Sequence, residues 1–251
     1  MLRGEIRFRA KIAEAGKGLK FPPVEFNPKK PGVDRVEIKS PKGNEILTAV
    51  HLAAVTDEEM AKSVASKVHS VALDRISFLH GIAIDKGKMI FSALHPVNPI
   101  LDSVFSARGY GRRFRAKARP VIVLSDSSLK QKLEQESLVG EKNFGLFRSA
   151  LSSESWVEKF MHLYNLLLMF FDDEQQGAQG RLDDFVRSEN PRVQQTPHPR
   201  FPGVYESVYT RLRNEFGHHR RGVNLDQTME EMKNNLGGLI ALTKRAIELY
   251  S

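Results

Sequence analysis

Arg213-Asn214-Glu215-Phe216-Gly217-His218 places a permanent cation, a carboxamide and an imidazole within about one and a half helical turns. An imidazole both takes and gives a proton near neutral pH. A guanidinium stays charged and grips a phosphate through two parallel N–H bonds. The three groups suit work on a phosphodiester without a metal. His218 would activate a ribose 2′-hydroxyl, Arg213 would neutralise the crowded phosphoryl transition state, and Asn214 would orient the phosphate or the imidazole.

Spacing carries little of this reading, because an Arg followed closely by a His also occurs at Arg75 and His80 and at Arg192 and His198. Context separates the three. Arg75 lies in an apolar stripe and Arg192 in a Pro-rich run. Arg213 follows an amphipathic segment (Tyr205, Val208, Tyr209, Leu212, Phe216) and precedes a glycine stop at Gly217 and a second helix. The competing reading pairs Arg213 with Glu206 or Asp226 and leaves His218 as an exposed capping residue.

The elements that would position the motif can be read from hydrophobic period and punctuation. Residues 2–14 alternate loosely, and Gly16, Gly18, Pro22, Pro23, Pro28 and Pro31 mark a loop or irregular edge. Val33 to Ser40 and Glu45 to Val55 are further strand candidates, so the opening reads as an antiparallel meander. Thr56 and Glu59 form a capping-box pattern before a helical stripe (Met60, Val64, Val68, Ala72, Ile76, Leu79), with Gly81 as its stop. Val121 to Leu124 has the character of a buried strand.

The domain boundary is expected near residue 150. Beyond it, Ser152 or Ser153 would cap a helix with Trp156, Phe160, Leu163, Leu167 and Phe170 on one face. Residues 175–202 look like loop, and 204–217 like helix. Asn224 and Gln227 make a capping box for the last helix. The expected architecture is a basic α+β domain over 1–150, with antiparallel strands around one helix, then an all-α domain over 151–251.

Composition narrows the function classes. A chain of 251 residues that is 41% hydrophobic buries a sizeable core. The absence of cysteine excludes disulfides, thiolate metal sites and a cysteine nucleophile. The opening Met1-Leu2-Arg3-Gly4-Glu5 lacks a signal-peptide core, and the apolar run 163–171 is too short to span a bilayer, so a cytoplasmic protein with no membrane partner is expected.

Residues 1–150 hold 26 Lys/Arg against 16 Asp/Glu, a balance of +10. Residues 151–251 hold 12 against 14, a balance of −2. A polyanion is the natural partner of the first half, and scattered solvated lysines are the plainer alternative.

Arg108, Arg112, Arg113, Arg115, Lys117 and Arg119 place six cations and no acid in twelve positions, with Tyr110 and Phe114 interleaved. Cations for phosphates and aromatics for bases suit single-stranded RNA. A basic edge strand that resists pairing is the alternative. Asp172, Asp173, Glu174, Asp183 and Asp184 form an acidic cluster that reads as a solvated helix end, because nothing sets the oxygen geometry of a divalent ion. No histidine pair has zinc spacing, so no metal and no cofactor is expected.

The Arg-Asn-x-x-x-His pattern at Arg213, Asn214 and His218, between two helices of a helical region, resembles the HEPN family. The resemblance covers about residues 150–251. It implies a metal-independent endoribonuclease of a kind found in toxin–antitoxin and antiphage systems, with the active site formed where two protomers pair. By this likeness Arg213 would bind phosphate, Asn214 would assist and His218 would transfer protons, with His219 as the alternative histidine. The implied partners are RNA, a second copy of the chain through the helical domain, and an antitoxin or regulatory protein. A binding or dimerising module without catalysis is the other expectation. Residues 208–219 and Gly222-Val223-Asn224 also resemble proteins named methylamine-utilisation protein MauJ, which would make the chain an accessory to methylamine utilisation.

Overall fold

Strand β1 (Leu2–Lys11) puts Ile6, Phe8 and Ala10 on one face and charged side chains on the other, and that alternation sets the architecture of the N-terminal unit. In the computed structural model, residues 1–13, 18–97, 121–123, 126–134, 141–172, 177–218 and 222–250 are described. They divide into two units, Met1–Ser137 and Leu138–Ser251. The division falls before residue 150, the position expected from sequence.

The first unit is a six-stranded sheet. Its strands are β1, β2 (Gly18–Phe26), β3 (Val33–Ser40), β4 (Glu45–Val55), β5 (Lys88–Pro96) and β6 (Val121–Val123), in the order β5-β1-β4-β3-β2-β6. The opening is therefore not a meander in chain order, since β1 pairs with β4 and β5. Every pairing is antiparallel except β2 with β6. The stretch expected as loop contains β2, where Leu19, Phe21, Val24 and Phe26 are buried. A register shift between Phe21 and Val24 takes Pro22 and Pro23 out of the β3 ladder, which is how a strand accommodates two residues without an N–H.

Helix α1 (Glu58–His80) covers the apolar face with Ala61, Ala65, Val68, Ala72, Leu73 and Ile76. Its cap is Asp57 rather than Thr56. The Asp57 carboxylate accepts from Met60 N–H at 2.8 Å, and the Thr56 hydroxyl donates to that carboxylate. Met60 consequently points outward. Gly81 ends the helix in the left-handed region (φ 61°), as expected. Helix α2 (Asp126–Glu134) completes the unit.

The second unit holds α3 (Glu141–Leu151), α4 (Trp156–Leu168), α5 (Ala178–Glu189), the short strands β7 (Gln195–Pro197) and β8 (Tyr205–Ser207), α6 (Val208–His218) and α7 (Leu225–Tyr250). The hairpin β7–β8 makes the unit mainly helical rather than all-α. Helix α3 runs across residue 150, and α4 is capped by Ser155 in a full capping box with Glu158. Asn224 Oδ1 accepts from the N–H groups of Asp226 and Gln227, which starts α7 as expected.

Phe160, Leu163 and Leu167 are buried on α4. Trp156 is 45% exposed, against the core position expected for it, and lies under the Lys233 ammonium at 5.4 Å. Among the described residues no helix is long and apolar enough to cross a membrane. Truncating Phe160 to Ala should cost about 3–5 kcal/mol in urea denaturation, while Trp156→Ala should cost under about 1 kcal/mol. Comparable losses would contradict this placement of α4.

Candidate functional site

The motif sits at the end of α6, and the helix does not stop where the glycine predicts. Gly217 lies inside the helix, which runs on to His218, and Gly222 is the left-handed glycine of the following turn (φ 79°). On a helix, positions 213 and 218 are offset by about 140°. The length of the arginine bridges that offset. Arg213 Nη1 donates to His218 Nε2 at 2.9 Å and to Asn214 Oδ1 at 2.9 Å. The structure thus brings all three motif residues together. Because Nε2 accepts from the guanidinium, the ring proton in this arrangement is on Nδ1.

Asn214 is 4% exposed and fully engaged. Its Nδ2 donates to Glu206 Oε1 at 2.8 Å, and its Oδ1 also accepts from Gln179 Nε2 at 3.3 Å. The carboxamide therefore holds Arg213 in place, linking α6 to β8 and α5. Arg213 also lies over the Tyr164 ring of α4, 6.0 Å from its centroid. Its Nε is buried with no hydrogen-bond partner among the described residues.

Beneath the motif runs a second buried polar chain. Tyr164 Oη and Thr210 Oγ1 are 3.0 Å apart, Thr210 Oγ1 donates to Asp183 Oδ1 at 2.6 Å, and Ser207 N–H donates to the same oxygen at 3.2 Å. Burial pushes the Asp183 carboxyl above its usual value. The bonds from Ser207 and Thr210 oppose that shift, and the nearby Glu206 carboxylate adds to it. Burial likewise pushes the Tyr164 phenol up, against the bond from Thr210.

Asn214 and His218 face a cleft of about 910 Å³, whose wall also includes His198, Arg200, Phe201 and Arg211. Arg211 is committed to structure, because Glu215 takes both of its bonds at 2.9 and 3.0 Å, and Glu231 pairs with it as well. His198 lies 3.7 Å from Glu206 through Nε2. It came to notice in sequence only as a spacing decoy, yet the fold brings it to the motif's cleft. Arg200 and Phe201 gave no signal, since a Pro-punctuated stretch hides a hairpin.

The remaining sequence candidates separate from this site. His219 and the basic segment of Arg108, Arg112, Arg113, Arg115, Lys117 and Arg119 lie outside the described residues. On the sheet of the first unit, Arg7 pairs with Glu5, Arg9 with Glu45, Arg35 with Glu25 and Asp34, and Lys39 with Glu37. Asp183 is buried on Thr210 and Ser207, Asp184 pairs with Arg187, and Asp173 and Glu174 lie outside the described residues. Among the described residues, no group of three or more His, Asp or Glu is placed to hold a metal ion.

A carboxyl whose folded pKa is raised stabilises most below its unfolded pKa, and that contribution is lost as pH rises through the folded value. The unfolding free energy of the native chain should therefore fall, relative to Asp183→Asn, as pH rises through and above the carboxylate range. A difference that does not change with pH would contradict the assignment. Asp183→Ala should cost about 1–3 kcal/mol below the carboxylate range, because it strands the Thr210 hydroxyl and the Ser207 N–H, and less as pH rises.

Comparison of the chain with protein-family models, with curated proteins and with solved structures finds no match in any of the three.

Proposed function

We propose that the helical unit is a HEPN-type endoribonuclease and that the basic N-terminal unit recruits its RNA. The observation that carries this reading is the 2.9 Å bond between Arg213 Nη1 and His218 Nε2 beside a cleft large enough for a nucleotide. A cation and a proton acceptor are already held within reach of one phosphodiester, and Asn214 fixes the cation from behind.

In this reading the arriving phosphate draws the Arg213 guanidinium off the imidazole. His218 Nε2 takes the proton of the ribose 2′-hydroxyl, and the 2′-oxygen bonds to phosphorus as the P–O5′ bond breaks. The 5′-oxygen takes a proton from solvent, leaving a 2′,3′-cyclic phosphate and a 5′-hydroxyl. Arg213 balances the charge that gathers on the phosphoryl oxygens. Pairing of two protomers through the helical unit, and a toxin or antiphage setting, rest on the family resemblance alone.

Binding without cleavage has one observation in its favour. The Nε2 atom that must take the proton is already occupied by Arg213.

Purified full-length protein in EDTA should cleave single-stranded RNA. His218→Ala should slow it by about 10²–10⁴-fold, the usual worth of a positioned general base. Arg213→Ala should lose both rate and affinity, and Arg213→Lys should restore little, because an ammonium lacks the two-pronged grip. Intact RNA, bound by the native protein and by His218→Ala alike but less well by Arg213→Ala, would replace the nuclease reading with the binding one.

A further inference from the structure

The loop between β7 and β8 brings an aromatic ring and an arginine to the same cleft as His218. Phe201 is 59% exposed, and the His198 ring backs it at a centroid distance of 4.6 Å with 33° between the planes. The Phe201 ring gains by leaving water, so a flat apolar group that enters the cleft is stabilised against it.

The loop that carries it is closed by its own backbone. His198 N–H donates to Val204 O at 2.8 Å, Val204 N–H donates to Phe201 O at 3.2 Å, and Gly203 supplies the left-handed step (φ 80°). His198 Nδ1 accepts from the N–H groups of Arg200 and Phe201 at 3.0 and 3.2 Å. The His198 proton is then on Nε2, facing the buried Glu206 carboxylate at 3.7 Å. With both nitrogens turned to the protein, His198 is a positioning residue that braces the ring of Phe201.

Arg200 is exposed at the same wall, and no acid pairs with it among the described residues. It differs in this from Arg211, whose charge is matched by Glu215 and Glu231. The cleft thus offers an aromatic face, an unspent cation beside it, and His218, whose Nε2 is bonded to Arg213 behind the wall.

We propose that the β7–β8 loop is a nucleobase subsite for single-stranded RNA, in which Phe201 stacks on an unpaired base and Arg200 binds a neighbouring phosphate. This rests on the reading of Arg213–His218 as an RNA site and names the form of its substrate. A duplex keeps its base faces stacked on each other and offers nothing to Phe201, so single strands are selected. Every base has a π face, so the subsite discriminates weakly by sequence.

The test is fluorescence anisotropy of the full-length protein with a fluorescein-labelled hexanucleotide of 2′-O-methyl RNA in EDTA. That probe has no free 2′-hydroxyl and stays intact. The same strand in duplex form is the comparison. Phe201→Ala should weaken single-strand binding about tenfold or more, and Phe201→Leu, which keeps bulk without a ring, should do the same. Phe201→Tyr should bind as the native protein does. Arg200→Ala should weaken binding and reduce the salt slope by about one unit.

Native-like affinity in both Phe201→Ala and Phe201→Leu, with a loss in Arg213→Ala, overturns the subsite while the Arg213 reading stands. A loss in Phe201→Ala with none in Arg213→Ala contradicts the Arg213 reading and keeps the loop as the RNA contact. Unchanged affinity in all of these variants overturns both. Equal losses on single strand and duplex from Phe201→Ala overturn base stacking.

Discussion

Two buried carboxylates constrain the helical unit. Glu206 and Asp183 are each 3% exposed. A charge or acid taken out of water must be met by donors, or the fold loses several kcal/mol. Asp183 is met by the Ser207 N–H and the Thr210 hydroxyl, Glu206 by the Asn214 amide. Those bonds tie α5 and β8 to the first turns of α6. Because Asn214 is held by Glu206 and Gln179, its carbonyl oxygen faces Arg213, and Arg213 in turn reaches His218. The placement of the exposed imidazole thus traces back through Arg213 and Asn214 to the buried Glu206.

This arrangement divides the arginines of α6 by role. Arg211 is spent on Glu215 and Glu231, which tie α6 to α7. The Arg211 bond holds the Glu231 carboxyl below its usual range, as expected for a matched pair. Arg213, two positions on, keeps a donor without a partner among the described residues. Helical geometry separates neighbouring roles, since residues two apart do not share a face. In the proposed reading one arginine builds the helix pair and the other meets substrate.

Long periodic segments were legible from residues alone. Most of the α1 stripe, the Gly81 stop and the Asn224 cap follow from period and punctuation. So does the mainly antiparallel sheet ahead of a helical region. Failures occurred where a local signal had two outcomes. Prolines at 22, 23, 197, 199 and 202 marked loops, yet a register shift admits two of them into β2, Pro197 is the last residue of β7, and the other two lie in the hairpin loop. Helix α5 shows only Leu182, Phe185 and Val186 as apolar positions and has no side-chain cap, so its period spans a single turn. Gly217 is compatible with both helix interior and helix end, and α6 runs through it to His218. For the site, the Arg–Asn–His trio was visible as a chemical set. Its supports were visible only in other roles, Glu206 as an ion-pair partner for Arg213, His198 as a spacing match and Asp183 in an acidic cluster, while Gln179 gave no signal, and the β8–α6 junction assembles them.

In the proposed reading Arg213 and His218 cleave RNA through its own 2′-hydroxyl. The most direct measurement uses a 2′-O-methyl oligonucleotide with one unmodified ribose, incubated with the full-length protein in EDTA, and identifies the product ends by mass spectrometry. One cut is expected, on the 3′ side of that ribose, leaving a 2′,3′-cyclic phosphate and a 5′-hydroxyl, with no cut in His218→Ala. Cuts at methylated positions, or a 3′-hydroxyl with a 5′-phosphate, would contradict it, as would an intact strand.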